Sequence, residues 1–449
     1  MMRHFKSALM GGAVLFLSMC LTSCDDFFGH EDKPVPGNVT PYTPLTLKAL
    51  KAGTIVVNNP QSGMQYKKND GTKIAMTATT TIDVAKGDKV EFYGSGTKIT
   101  KYYIDDSSDS NDTSISGGTA KVKVYGNIMS LVDEKNFATA TALTGNDAFC
   151  ELFIGNRTLT DASDLLLPAT TLTTGCYMAM FWDCSSLSAA PELPATKLAE
   201  ECYWFMFAGC TSLTTAPELP ATTLADGCYY CMFYECAGLT AAPKLPVTTL
   251  ADNCYDSMFR DCTGLTTAPE LPATTLAVEC YRDMFRGCTS LTAAPKLPVT
   301  TLAVSCYDGM FRECTGLTTA PELPATTLAA GCYFSMFEEC TSLTVAPELK
   351  ATTLADDCYS YMFFGCTGLT TAPELPATTL AAGCYAYMFM ECSNLSSVTC
   401  LATDISATGC TEDWLYGVAE SGTLTTPSTT AWTEDSDSGI PSGWTRVEP

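Results

Sequence analysis

The sequence predicts an α/β repeat solenoid of 26-residue coils, each with a short strand and a short helix, preceded by a small all-β sandwich. Three observations lead there. The pattern Cys-Tyr-x-x-Met-Phe-x-x-Cys returns every 26 residues, its first Cys running from Cys176 to Cys384 and its second from Cys184 to Cys392. A near-constant connector, such as 213–224 (LTTAPELPATTL), links successive copies. Upstream, residues 45–137 carry β-branched and aromatic runs cut by Gly, Asn and Asp turn signals. Nine full copies without an insertion mark one supersecondary unit stacked many times.

Taken in order, the chain opens on a targeting segment. Arg3 and Lys6 form a positive start, and 8–19 is an apolar run. Leu21, Thr22, Ser23 and Cys24 follow, and this string resembles a bacterial lipobox. The resemblance implies a signal peptide over 1–23 and a diacylglyceryl group on the Cys24 thiol. Asp25 and Asp26 come next, similar to the surface-export signals of Bacteroidetes lipoproteins. Residues 24–44 are rich in Pro and Gly and read as a flexible tether. No other run reaches 18 consecutive apolar residues, so the lipid is the one membrane contact expected.

The β region is read from runs 54–57 (TIVV), 89–93 (KVEFY) and 120–125 (AKVKVY), with turn signals at 69–71, 86–88 and 94–96. Its acidic stretch 105–112 reads as a solvated loop; it lacks the Gly and terminal Glu of an EF-hand.

The solenoid is placed over 145–416. Its leading copy has Asn156 where later copies have Cys, as a capping unit should. In a full copy, Leu224, Cys228, Met232 and Cys236 are spaced by four, and so are Ala225, Tyr229 and Phe233. On a helix these rows merge into one apolar stripe, with Thr223 as N-cap and Asp226 completing a capping box. Positions 226, 227, 230, 231, 234 and 235 vary between copies and must face outward. The connector is expected to cross the other side as short parallel strands, cut short because Pro217 and Pro220 donate no N–H. Residues 417–449 read as a C-terminal cap, with 439–444 closing the open end through Trp444.

A coil that buries its stripe only by stacking is leucine-rich-repeat-like. Residues 284–292 (MFRGCTSLT) resemble the repeat of BspA-like leucine-rich-repeat surface proteins of anaerobic gut and oral bacteria, and the likeness covers about 148–416. The resemblance implies an exported protein, lipid-anchored at the bacterial outer membrane and surface-exposed. It also implies adhesion to a host or bacterial surface protein.

The 24 Cys of an exported chain raise the question of disulfides. Two Cys eight residues apart on a helix would be about 12 Å apart, beyond the roughly 7 Å a bridge allows. Buried thiols in inward ladders are the simpler account. No metal or cofactor is expected, because the only histidines are His4 and His30 and no two of the repeated Cys form a Cys-x-x-Cys pair. For the same reason no Ser/His or Cys/His nucleophile can be assembled, so the chain is not read as an enzyme. A net charge of −24 argues against nucleic acid as a partner. What remains is a binding surface. The outward positions place Arg260, Arg282, Arg286 and Arg312, and nearby Trp204, Phe205, Tyr230 and Tyr234, where protein interfaces keep their anchors. A protein partner is the first expectation. A glycan stacking on the rings, or a plain structural spacer, is the alternative.

Overall fold

A computed structural model describes residues 39–96, 99, 113–434 and 438–449. Residues 1–23, Cys24, most of the tether 24–44 and the loop 105–112 lie outside the described residues. Val39–Pro449 form one compact unit.

The β region folds as two sheets. β1 (Thr46–Ala49), β3 (Gln65–Lys68), β4 (Ile74–Ala75), β6 (Lys89–Tyr93), β8 (Val122–Asn127) and β9 (Leu159–Leu166) build a six-stranded sheet in the order β4-β3-β6-β1-β8-β9. β2 (Gly53–Asn58), β5 (Thr80–Val84) and β7 (Ser114–Ile115) build a second sheet, β5-β2-β7. Period-two alternation sends Leu47, Val90, Phe92, Val122 and Val124 from the first sheet, and Ile55, Val57 and Ile82 from the second, into the interior. The one parallel pair is β8 with β9. β9 already belongs to the leading coil, and Ala162 donates its N–H to Ala189 of the next. Sheet and coils therefore share one continuous core.

The short helix expected in every coil is absent, and with it the α/β class. Among the described residues the one helical element is a 3-10 turn, Ile128–Leu131. Each Cys-Tyr-x-x-Met-Phe-x-x-Cys segment is instead a ribbon of turns. In the coil of Cys254, the N–H groups of Asp256, Met258, Arg260 and Cys262 donate to carbonyls three residues back, at 3.1–3.3 Å. The intervening N–H groups of Tyr255, Ser257, Phe259 and Asp261 donate to Cys280, Arg282, Met284 and Arg286 of the next coil, at 2.7–3.1 Å. Every fourth residue has a positive φ: Asn253 at 53°, Ser257 at 54°, Asp261 at 58°. That conformation stops a helix at each turn. Thr223 accordingly caps nothing; its carbonyl accepts the N–H of Leu198, and it bridges Lys197 of the preceding coil.

The turn ribbon wins because stacked copies change the hydrogen-bond balance. A helix spends its N–H groups on itself. The ribbon keeps half for the neighbouring coil, and that bond repeats at every interface. Four-residue spacing still turns the same side chains inward. Cys254, Tyr255, Met258, Phe259 and Cys262 are at most 1% exposed, as are their counterparts up and down the stack to within a percent.

Inside, the rings form two columns. Tyrosines stack from Tyr177 to Tyr385, with Phe149 beneath, at 5.7–6.2 Å between centroids. Phenylalanines stack from Phe153 to Phe389 at 5.4–5.8 Å. Met and Cys fill the space beside them.

On the connector side, most coils meet through isolated parallel bridges such as Ala241↔Thr267, Leu323↔Leu349 and Thr327↔Thr353. The prolines limit pairing to single residues. Where the sequence drops them, true strands appear. β9 is one. β10 (Ser397–Thr399) is another, and it continues in parallel into β11 (Gly422–Thr425) and β12 (Trp444–Val447).

Every backbone bond between coils of the ribbon points the same way, N–H toward the C-terminal neighbour. The leading coil thus presents carbonyls, and the β region caps them: Ile99 and Ile115 donate to Ala148 and Leu152 at 3.1 and 2.6 Å. Asn156 is fitted to this end, its Nδ2 donating 2.8 Å to the Ile115 carbonyl. At the other end the Trp414 indole donates to Gly439 and stacks on Trp432 at 5.1 Å. Trp444 donates to Ala419 at 2.8 Å.

The paired cysteines of the nine full copies are buried, and none of them forms a disulfide. The second Cys of each coil is a donor: Cys210 Sγ reaches the Phe181 carbonyl of the coil before it at 3.2 Å, and Cys288 the Phe259 carbonyl at 3.1 Å. Burial pushes the Cys236 thiol up to about 12. In the folded protein these thiols are expected to resist maleimide at pH 7.5 and to react fully in denaturant. Labelling of several repeat thiols before unfolding would contradict this. Cys288→Ser keeps a donor and is expected to cost less than Cys288→Ala by about 1 kcal/mol.

Candidate interaction surface

The outward positions of the ribbon form one face running along the stack. Three successive coils, those of Cys176, Cys202 and Cys228, carry an aromatic cluster. Trp182 meets Phe205 at 5.5 Å, Trp204 meets Tyr230 edge-on at 5.4 Å, and Phe205 lies 6.3 Å from Tyr234. Trp204 and Phe205 also cover a small buried cluster of Cys150, Met178 and Ala179. The rings are half-buried, with Trp182 the most open at 37%. The structure thus brings Trp204, Phe205, Tyr230 and Tyr234 together. Trp182 joins them, and so does Cys231, which faces the ribbon yet is only 6% exposed.

The arginines follow directly. Arg260, Arg286 and Arg312 occupy one register in successive coils, a like-charge column that needs acids between its members. It has them. Arg260 lies 3.5 Å from Asp261 and 3.9 Å from Asp283. Arg286 pairs with Glu313 at 2.9 Å, and Arg312 with Glu338 at 2.7 Å. Arg282 pairs with Glu279 at 2.6 Å and stands 3.0 Å from Asp256 Oδ2. All four predicted arginines are therefore neutralised within the face and half-buried. Beyond them Phe334, Tyr361 and Tyr387 form a second run of rings, with 4.5 Å between the last two centroids.

The acids between the arginines carry a cost. Asp256 is fully buried, and desolvation pushes its carboxyl up to about 6 despite Ser257 and Arg282 beside it. Burial, then Asp283, pushes Asp308 up to about 7; Glu279 and Asp256 add to the rise and Arg282 opposes it. A carboxyl whose folded value lies above its unfolded one holds its proton more tightly when folded. Stability from this source is therefore present at low pH and is lost as pH rises through about 6 to 7. The described residues contain no His, but burial also raises the Asp261, Asp283 and Glu338 carboxyls, so variants must assign the effect. A tenfold tighter hold on one proton is worth about 1.4 kcal/mol, so the melting temperature is expected to rise by a few degrees between pH 8 and pH 5.5. Asp256→Asn with Asp308→Asn should flatten the rise. An unchanged slope in that double variant would assign it elsewhere.

Among the described residues no group of His, Cys, Asp and Glu is placed to hold a metal ion. Among the described residues no helix is long and apolar enough to cross a membrane.

No family model matches the chain, and no curated protein matches it. Among solved structures it is similar to a leucine-rich repeat protein from Bacteroides ovatus, 16% identical over 68% of this chain and 86% of that one, with a TM-score of 0.29. At that score the likeness defines neither the ligand nor the partner of this chain.

Proposed function

We propose that this chain is a non-enzymatic surface protein, held at the bacterial outer membrane by lipid on Cys24, whose coil stack binds a protein partner. The observation that carries the reading is the outward face of the turn ribbon. It sets rings and paired arginines side by side on a backbone locked by repeating bonds, the rigid presentation that interface anchors require. The lipobox residues 21–24 support the anchoring, and the acidic tract at Asp25 and Asp26 supports export to the surface.

The test is capture by the purified full chain from host matrix and bacterial surface proteins, followed by direct titration. Binding in the micromolar range or tighter that weakens with Arg282→Ala or Trp204→Ala, in variants with normal melting behaviour, supports the reading. Binding that ignores every ribbon substitution overturns it. For the anchor, Cys24→Ser should release the protein from the membrane fraction.

A further inference from the structure

We propose that the aromatic end of the ribbon face, from Trp182 to Tyr234, docks a lysine- or arginine-rich segment of the partner protein. This rests on the reading of the ribbon as a protein-binding face and names the chemistry of what it binds.

Two independent features point to a cationic occupant. The first is charge. Exposed Asp183, Glu200, Asp226 and Glu235 surround the rings, and none of them has an ion-pair partner among the described residues. Along the outward positions the first cation is Arg260. In the next three coils the acids are interleaved with Arg260, Arg282, Arg286 and Arg312; here they are not. Glu201 shows the consequence, its carboxyl held above the usual range by burial and then by Glu200 and Asp147. The second feature is the ring cluster itself. Its lower edge already holds a cation, since the Arg260 guanidinium lies over the Tyr234 ring at 5.6 Å. Ring faces attract cations through their quadrupole, and carboxylates beside them deepen the attraction. The upper part ends on Trp182, the most open ring of the cluster, and no cation lies over it among the described residues. At the centre, the Trp204 indole N–H is buried without an acceptor.

A peptide fits better than a neutral sugar. The rings meet at tilted and edge-on angles of 36–84°, so they form a pocketed surface rather than a flat platform. A flexible cation can enter between tilted rings, while a sugar face needs a flat one.

The experiment titrates the purified full chain with decalysine and decaarginine peptides by calorimetry, at low salt and at physiological salt. An uncharged decapeptide and a neutral oligosaccharide serve as controls. Trp182→Ala and Tyr234→Ala change no charge; together they are expected to weaken cationic-peptide binding about 10-fold, near 3-fold each. Glu200→Gln with Glu235→Gln should weaken it and flatten its salt dependence. Phe334→Ala, in the other ring run, should leave it unchanged. Each variant is compared at equal melting temperature. Binding that falls with net charge alone and ignores Trp182→Ala with Tyr234→Ala overturns the inference, because any acidic surface would do the same. Preference for the oligosaccharide overturns it too. If cationic peptides fail while a captured protein partner still responds to Arg282→Ala, this inference falls and the protein-binding reading stands. If ribbon substitutions affect neither, both fall.

Discussion

Replacing Phe259 with Ala is expected to cost about 3–5 kcal/mol of folding stability. The ring is fully buried and stacks on Phe233 at 5.7 Å and on Phe285 at 5.8 Å, within 5° of parallel to each. Deleting it removes contacts on two faces at once and leaves a void in the middle of a column. The surroundings cannot close on that void. The Phe259 N–H is tied to Met284 at 3.0 Å and its carbonyl accepts Cys288 Sγ–H, both of the next coil, while the adjacent Met258 carbonyl accepts the Phe233 N–H of the coil before, so the backbone is fixed on both sides. Phe259→Leu should cost much less, because Leu415 fills the same place in the last coil at 1% exposure. Each coil touches only its neighbours, so the wild type is expected to unfold in one transition and the Ala variant to split it. Urea denaturation followed by far-ultraviolet circular dichroism measures both effects. A loss below about 1 kcal/mol with a single transition would mean that the columns do not hold the stack together.

How much of this was legible follows from what spacing can encode. The inward set Cys228, Tyr229, Met232, Phe233 and Cys236 could be read from the repeat, because a 3.6-residue helix and a four-residue turn unit turn nearly the same residues inward. For that reason spacing alone could not choose between them. The deciding signal lay at the outward positions. Gly227, Gly331 and Gly383 precede the first Cys of their coils, Asn253 and Asp357 take the same place in others, and all five have φ between 53° and 59°. Glycine recurring in the middle of a would-be helix argues against the helix, and Asn and Asp are the residues that best share its left-handed conformation. The limited pairing on the connector side was readable from Pro217 and Pro220. The donor role of the second Cys was not, because its acceptor, a Phe carbonyl 29 residues earlier, appears only once coils are stacked. Nor was the pairing of the arginines: Arg286 and Glu313 lie 27 residues apart, and only the coil register sets them 2.9 Å from each other.

The same left-handed positions allow a substitution whose sign separates a ribbon from a helix. Glu339 is exposed, has a φ of 57°, and donates its N–H to Phe364 of the next coil at 2.7 Å. Glu339→Pro is expected to cost more than about 3 kcal/mol. The ring fixes φ near −65°, which this site cannot accept, and it deletes one of the bonds between coils. Glu339→Gly is expected to stabilise by up to about 1 kcal/mol, since glycine adopts the positive φ without the penalty a Cβ brings. Gly287 and Gly365 already occupy this position in other coils, at 70° and 68°. In a helix interior both changes would destabilise, glycine by about 1 kcal/mol. The proline variant alone cannot tell the two backbones apart, because it breaks either. The glycine variant can: a higher urea midpoint belongs to the turn ribbon, and a lower one to a helix.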